Sequence, residues 1–237
     1  QDFGIDCVQY DPPREKRETD FKSASLNEVL ACDILTLHVP LNKKGEFSTF
    51  HWLNDEKLAQ GRFKLIINTA RGGVIDESAM MRAFAEEIIE DFILDVWEGE
   101  PDFDADVARK AFLATPHIAG YSEQSKIDAT KIVCDKMADF FGIKPAIPKY
   151  QNVTKNMDLA HISYDLIKLL NRLHPIKDFD AALRDLIDRH DKKILFRKLR
   201  NEWPYRYEYP YIKIRKPLLQ EFPDLVKLGI SALNSPL

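Results

Sequence analysis

Cysteine is scarce in these 237 residues: Cys7, Cys32 and Cys134 stand far apart and form no CxxC pair. That excludes a disulfide framework and the common zinc spacings, so no metal is expected. Glycine is also sparse, nine in all, and no Gly-x-Gly-x-x-Gly loop occurs among them. No stretch approaches the roughly 20 apolar residues needed to span a bilayer, and no signal peptide opens the chain. Basic charge is not in excess, with 34 Lys and Arg against 38 Asp and Glu and a formal net charge of -4. Without a positive field to draw a polyanion, neither nucleic acid nor membrane is an expected partner, and the scattered thiols suit a reducing cytoplasm. Even the basic knot from Lys192 to Arg200 alternates with Ile194, Leu195, Phe196 and Leu199, the pattern of a solvated helix face over an apolar one.

What is present suffices for one large or two medium domains with cores, since 45% of residues are hydrophobic and 30% charged. Ile5 to Tyr10 reads as a short strand stopped by Asp11-Pro12-Pro13. Ser25-Leu-Asn-Glu28 has capping-box spacing and opens a short helix. Asp33 to Val39 and Phe63 to Asn68 read as buried parallel strands, Phe92 to Trp97 as the next strand and Leu113 to Thr115 as a short one. Asn54 and Asp76 each cap an intervening helix, the second carrying Met80, Met81, Phe84 and Ile88. A helix near Ala105 to Phe112 and a long one from Ser122 to Phe141 complete the alternation. Strand and helix at this pitch predict an α/β fold, a doubly wound, Rossmann-type parallel sheet with its ligand site at the carboxyl ends of the strands. Pro145, Pro148 and the polar stretch 150–155 read as a linker. Beyond it, helices near Tyr164 to Leu173 and Asp180 to Arg189, a strand Tyr207 to Arg215 and a helix Leu218 to Leu228 predict a small α+β domain. The expected division is 1–120, a returning helix and linker at 121–145, and a C-terminal domain at 146–237.

The chemistry falls where strands end. Asn68-Thr-Ala-Arg71-Gly-Gly73 follows a strand, and its glycines permit a tight turn presenting the guanidinium. Arginine suits a substrate carboxylate because its planar fork donates two parallel hydrogen bonds. Glu100 in DVWEGEP and His117 in TPHIAGYS stand just past the next strands. Singly these read as a surface ion-pair residue, a loop carboxylate and a core histidine. Together, at successive strand ends, they point to a convergent site.

The blocks DILTLHVPL, INTARGGVID, DVWEGEP and TPHIAGYS, in order and spacing over about residues 1–142, resemble the D-2-hydroxyacid dehydrogenase family. The resemblance implies that Arg71 binds the substrate carboxylate and helps polarise the oxygen on C2. It implies that His117 takes the C2 hydroxyl proton while hydride leaves for a nicotinamide, and that Glu100 holds the imidazole and stabilises the imidazolium. Asp11 would accept hydrogen bonds from the adenosine ribose, which favours NAD over NADP, although Arg14 nearby could bind an extra phosphate. Val39, the backbone of Thr69 and Ala70, Asp95 toward the carboxamide, and Gly120 would be the remaining cofactor contacts.

The run DPPR at 11–14, Trp97 with Gly99, and Tyr121 resemble one subgroup, in which the substrate is a phosphorylated 2-hydroxy acid that Tyr121 would contact. The tail FRKLRNEWPYRYEYPYIKI at 196–214 resembles that subgroup's C-terminal dimerisation domain, so a homodimer is expected. Since the family places its glycine loop and half of its substrate domain upstream of the strand that opens this chain, an N-terminally truncated fold is expected. A sibling enzyme acting on phosphoglycerate, lactate or glyoxylate, and a non-catalytic NAD-sensing regulator on the same fold, stay open as alternatives.

Overall fold

In the computed structural model, β1 (Ile34–Leu37), β2 (Phe63–Asn68), β3 (Ile89–Leu94) and β4 (Leu113–Ala114) pair in that order as one parallel sheet. Residues 4–144, 154–157, 159, 165–202 and 204–233 are described, and they divide into two units. One comprises Asp6–Ala119 and Ile176–Trp203, the other Gln1–Ile5, Gly120–Pro175 and Pro204–Leu237, each over its described residues.

In the first unit, α1 (Pro12–Glu15), α2 (Leu26–Leu30), α3 (Asp55–Leu58), α4 (Glu77–Ala85) and α5 (Ala105–Lys110) lie between or before the strands. Their starts are fixed by local chemistry. Ser25 and Glu28 form the reciprocal capping box, and Asn54, Asp76 and Asp104 each accept from an amide of the first turn. Leu35, Leu37, Phe63, Ile66, Phe92 and Leu94 bury the sheet against this layer. Each such side chain contributes about 1.5–3 kcal/mol when removed from water.

The register decides where the site forms. Leu37 pairs with Asn68, Asn68 with Leu94, and Leu94 with Ala114, so all four strands end level. The chain therefore leaves the sheet along a single edge, at Val39, Thr69, Asp95 and Thr115.

Four expectations are corrected. Ile5 to Tyr10 forms no strand: Ile5 and Val8 are exposed, and the Ala24 amide on the Gln9 carbonyl (2.8 Å) is a single bond rather than the repeated ladder that defines a strand. The third strand runs Ile89–Leu94 rather than 92–97, because Ile89 pairs with Phe63 and the chain turns out of the sheet at Asp95. The strand expected at 207–215 is a 3-10 turn, Tyr209–Tyr211, followed by a strand of three residues. The helix expected at 218–228 is two, broken at Phe222 and Pro223, where proline cannot donate into a continuing helix.

The division of the chain also differs from a boundary at 146. Helices α8 (Ile176–Arg184) and α9 (Lys192–Glu202) pack on the sheet unit, with Leu183, Ile187 and Phe196 joining its core. Asp180 accepts from the Ala114 amide at 2.7 Å, which covers the edge strand, and Arg184 donates to the carbonyls of Ala108 (2.9 Å) and Ala111 (2.8 Å) at the end of α5. These polar links are specific to residues far apart in sequence.

The second unit contains α6 (Glu123–Phe141), capped by Ser122 and ended by Gly142 at φ +64°, and α7 (Leu166–Leu173). Strands β5 (Lys155–Asn156), β6 (Ile212–Ile214) and β7 (Ser231–Ala232) form a second parallel sheet. Leu169, Leu173, Ile212, Ile214, Leu225 and Ile230 form its core with Leu159, beside α10 (Lys216–Glu221) and α11 (Asp224–Lys227). The linker expected around 145–153 lies outside the described residues. Among the described residues no helix is long and apolar enough to cross a membrane, and no group of three or more His, Cys, Asp or Glu is placed to hold a metal ion.

Candidate active site

Arg71 is presented by a turn that Asn68 holds on both sides. The Asn68 side chain is buried; its oxygen accepts from the Ala70 amide (3.0 Å) and its amide donates to the Arg71 carbonyl (3.1 Å). The exposed Arg71 guanidinium uses one donor on the Ala70 carbonyl at 2.6 Å. Gly73 takes φ +77°, and a Cβ on Gly72 would lie 1.9 Å from the Trp97 carbonyl oxygen. Only glycine at 72 lets this turn press backbone to backbone on the loop after β3.

That loop carries Glu100. Its bend is closed by the Glu100 amide on the Trp97 carbonyl (3.4 Å), with Gly99 at φ +78°. Trp97 is buried and its indole N–H donates to the Thr115 carbonyl at 3.0 Å, tying the loop to the segment after β4. From the first turn of α4, the buried Glu77 accepts the Glu98 amide at 2.6 Å, and the Glu98 carboxylate lies 2.7 Å from His51 Nε2.

His117 Nδ1 lies 2.5 Å from Glu100 Oε1, with 19% and 23% of the two side chains exposed. A carboxylate can only accept, so Nδ1 carries the hydrogen and the lone pair falls to Nε2, the position of a general base. His117 sits at φ +59°, a conformation that costs a residue with a side chain of order 1–3 kcal/mol. Asp95 holds it there. Its carboxylate, 2% exposed, accepts from the Thr115 hydroxyl (2.6 Å) and from the Ile118 and Ala119 amides (2.8 Å each).

Arg71, Glu100 and His117 thus stand on the turns after β2, β3 and β4 at one edge of the sheet, with Glu100 and His117 in contact and Val39, Thr69, Ala70 and Asp95 just past the strand ends. Asp95, expected toward a carboxamide, has both oxygens engaged within the protein. Asp11 caps α1 through the Arg14 amide at 3.0 Å. Arg14 is turned to its own helix, 2.7 Å from Glu18 and over the Phe21 ring at 4.1 Å. Gly120 and Tyr121 belong to the second unit, where Tyr121 packs edge-on against Tyr205 with Lys126 over its ring at 3.6 Å. Asn68, Glu77 and His51 were not singled out by sequence, and Trp97 was noted only for the subgroup resemblance, not as a brace. Only Asn68 carried a signal, an Asn at a strand end before a glycine-rich turn.

Residues 1–119 match the NAD-binding domain of D-isomer specific 2-hydroxyacid dehydrogenases. The chain belongs to that family. It is 36% identical over 209 residues to a protein of Bacteroides fragilis named erythronate-4-phosphate dehydrogenase, covering 87% of this chain and 58% of that one. A protein of the same name from Proteus mirabilis is 33% identical over 223 residues, covering 90% and 58%. The chain thus spans a little over half the length of these relatives. Among solved structures, a glyoxylate reductase from Paecilomyes thermophila matches at 28% identity and TM-score 0.44, over 56% of this chain and 40% of that one.

The residues of this dehydrogenase-family chain fit part of an NAD molecule. The Asp11 carboxylate has the chemistry to accept from a ribose diol, and the turns after β1 and β2 leave the sheet at the strand ends, where such sheets bind ligands. Among the described residues no glycine-rich turn opens a helix at the first strand to cradle a pyrophosphate.

Proposed function

We propose that this chain carries the acid–base half of an NAD-dependent dehydrogenase that oxidises 4-phospho-D-erythronate to 2-oxo-3-hydroxy-4-phosphobutanoate, a step toward pyridoxal phosphate. The observation that carries this reading is the 2.5 Å contact of Glu100 with His117 on a loop packed against the Arg71 turn. His117 Nε2 takes the proton of the C2 hydroxyl. Glu100 stabilises the imidazolium so formed and fixes the ring's orientation. Arg71 binds the substrate carboxylate and draws electron density from the oxygen on C2. NAD, when bound, supplies the hydride acceptor for the hydrogen on C2. Asp11 would receive the adenosine ribose, Val39, Thr69, Ala70, Asp95 and Gly120 would border the cofactor, and Tyr121 would meet substrate.

The substrate assignment rests on the names and similarity of the relatives, with the DPPR run, Trp97, Gly99, Tyr121 and the 196–214 tail in support. We place with it a cytoplasmic homodimer formed through residues 146–237. The test is NADH formation by the full-length gene product with 4-phosphoerythronate, phosphoglycerate, glyoxylate and lactate. Highest kcat/KM with 4-phosphoerythronate is expected. Preference for another acid makes the protein a sibling dehydrogenase, and NAD binding without turnover on any of them makes it a regulator.

A further inference from the structure

The loop bearing Glu100 is held by a buried acid that the reaction itself does not use. Glu77 is 8% exposed at the first turn of α4, and its Oε1 accepts the Glu98 amide at 2.6 Å. One side of it faces an open cleft of about 640 Å³ whose wall includes Glu98, Asp102, Asp104, Asp106 and Lys192. A carboxyl placed among so many carboxylates is costly to bury. Its partner explains it: Glu98 lies two residues before Glu100, its amide is the one bonded, and its carboxylate is in turn 2.7 Å from His51 Nε2. The other ring nitrogen, His51 Nδ1, lies 3.7 Å from the Asp76 carboxylate, beyond hydrogen-bond reach. The peptide at Glu98 is thus clamped between two elements, and the bend that follows delivers Glu100 to His117.

We propose that Glu77 is a positioning residue, whose carboxyl fixes the Glu98 peptide and through it the placement of Glu100 against His117. This rests on the reading of Glu100 and His117 as the acid–base couple. The group is also poised to respond to pH. Burial pushes the Glu77 carboxyl up to about 7, opposed by the Glu98 amide and reinforced by the negative charges of Glu98, Asp104 and Glu100. Across the cleft, Asp102 is paired with Lys192 and Lys193, so those cations are engaged elsewhere. Near neutral pH, ionisation of Glu77 adds a negative charge on the side chain that holds the Glu98 peptide; protonation removes it.

The test uses nitrogen-15 histidine- and amide-labelled protein, wild type, Glu77→Gln and Glu77→Leu, followed by NMR between pH 5.5 and 8.5, with His117→Asn identifying the ring signals. In wild type the Glu98 amide is expected to titrate with a midpoint near 7. Glu77→Gln keeps an acceptor for the amide, so its exchange protection should remain while the titration disappears. Glu77→Leu should speed exchange of the Glu98 amide and release the His117 ring from its single tautomer. In the full-length protein kcat should fall on the order of 10- to 100-fold in Glu77→Leu and recover in Glu77→Gln. A Glu98 amide with no titration in wild type, Glu77→Gln behaving as Glu77→Leu, or an unaltered His117 ring in Glu77→Leu would each overturn the proposal. Absence of turnover in wild type with these NMR signatures intact would instead count against the proposed reaction.

Discussion

Replacing Asp95 with Asn tests whether the His117 turn is held as the geometry indicates. The carboxylate is 2% exposed and receives three donors, two on Oδ1 from Thr115 and Ile118 and one on Oδ2 from Ala119. Asparagine can keep its oxygen at the first position, but its NH₂ then faces the Ala119 amide, donor against donor; the flipped rotamer forfeits two bonds to keep one. The better rotamer loses one charge-assisted hydrogen bond, about 1.5–3 kcal/mol, and leaves a donor without its acceptor, a further 1–3 kcal/mol. Relief of the left-handed strain at His117 returns part of this, so we expect a net destabilisation of about 3 kcal/mol. Urea unfolding at pH 7, followed by tryptophan fluorescence, reads the difference directly, since Trp97 is buried beside the turn and bonded to the Thr115 carbonyl. A loss below about 1 kcal/mol would mean that the turn keeps its shape without Asp95 and would refute its role as the brace of His117.

The elevated Glu77 makes a second prediction, in stability. A carboxyl raised from 4.5 to about 7 is favoured protonated in the fold, so its contribution to stability is fullest below pH 4.5 and is lost, by about 3 kcal/mol, as pH rises through 7. Glu77→Gln should therefore gain on wild type by that amount between pH 4.5 and 8, and parallel unfolding curves would refute it. In the second unit, burial and the nearby Arg206 hold His174 down from 6.5 to about 4. Its contribution is present above pH 6.5 and lost as pH falls through 4, so His174→Gln should flatten the acid limb of a pH series of urea midpoints. In the full-length protein, His117→Asn should lower turnover about 10² to 10⁴-fold while NAD affinity, read by fluorescence titration, stays within a few-fold. Retention of more than a tenth of wild-type turnover would remove His117 from the mechanism.

Much of the sheet was legible because its determinants are local. The Ser25–Glu28 box, the Asn54 and Asp76 caps and the run Phe63–Asn68 state their conformations within a few residues. What failed was what depends on a partner. Ile5 to Tyr10 has the composition of a strand, yet it stays outside the four-stranded sheet, which begins at Ile34. Ile89 enters the sheet ahead of the expected start because Phe63 lies opposite it, a fact of register that no window around residue 92 contains. The helices at 176–202 looked like part of a later domain because they follow the linker in sequence. They pack on the sheet because Asp180 and Arg184 find the orphan amide of Ala114 and the carbonyls ending α5.

The site divides along the same line, and this says something about how it is built. Arg71, Glu100 and His117 could be picked out because each is a chemically conspicuous residue beside glycine or proline just past an apolar run. Their braces could not, since the contacts are from side chain to backbone over long separations: Glu77 to the Glu98 amide, Asp95 to the amides after His117, Trp97 to the Thr115 carbonyl. An acid in a helix's first turn or at a strand end looks ordinary whether or not it receives an amide from another loop. Yet those bonds set the geometry, because all three strand-end turns depart from regular structure at Gly73, Gly99 and His117, each at positive φ. Conformations of that kind persist only where the surroundings over-determine them. A site whose chemistry is carried by a few side chains but whose precision is carried by buried carboxylates holding backbone amides should then lose function through its braces as readily as through its reacting groups. The braces should show the loss first as loosened turns and altered pH response, and only the reacting groups as lost chemistry with the turns intact.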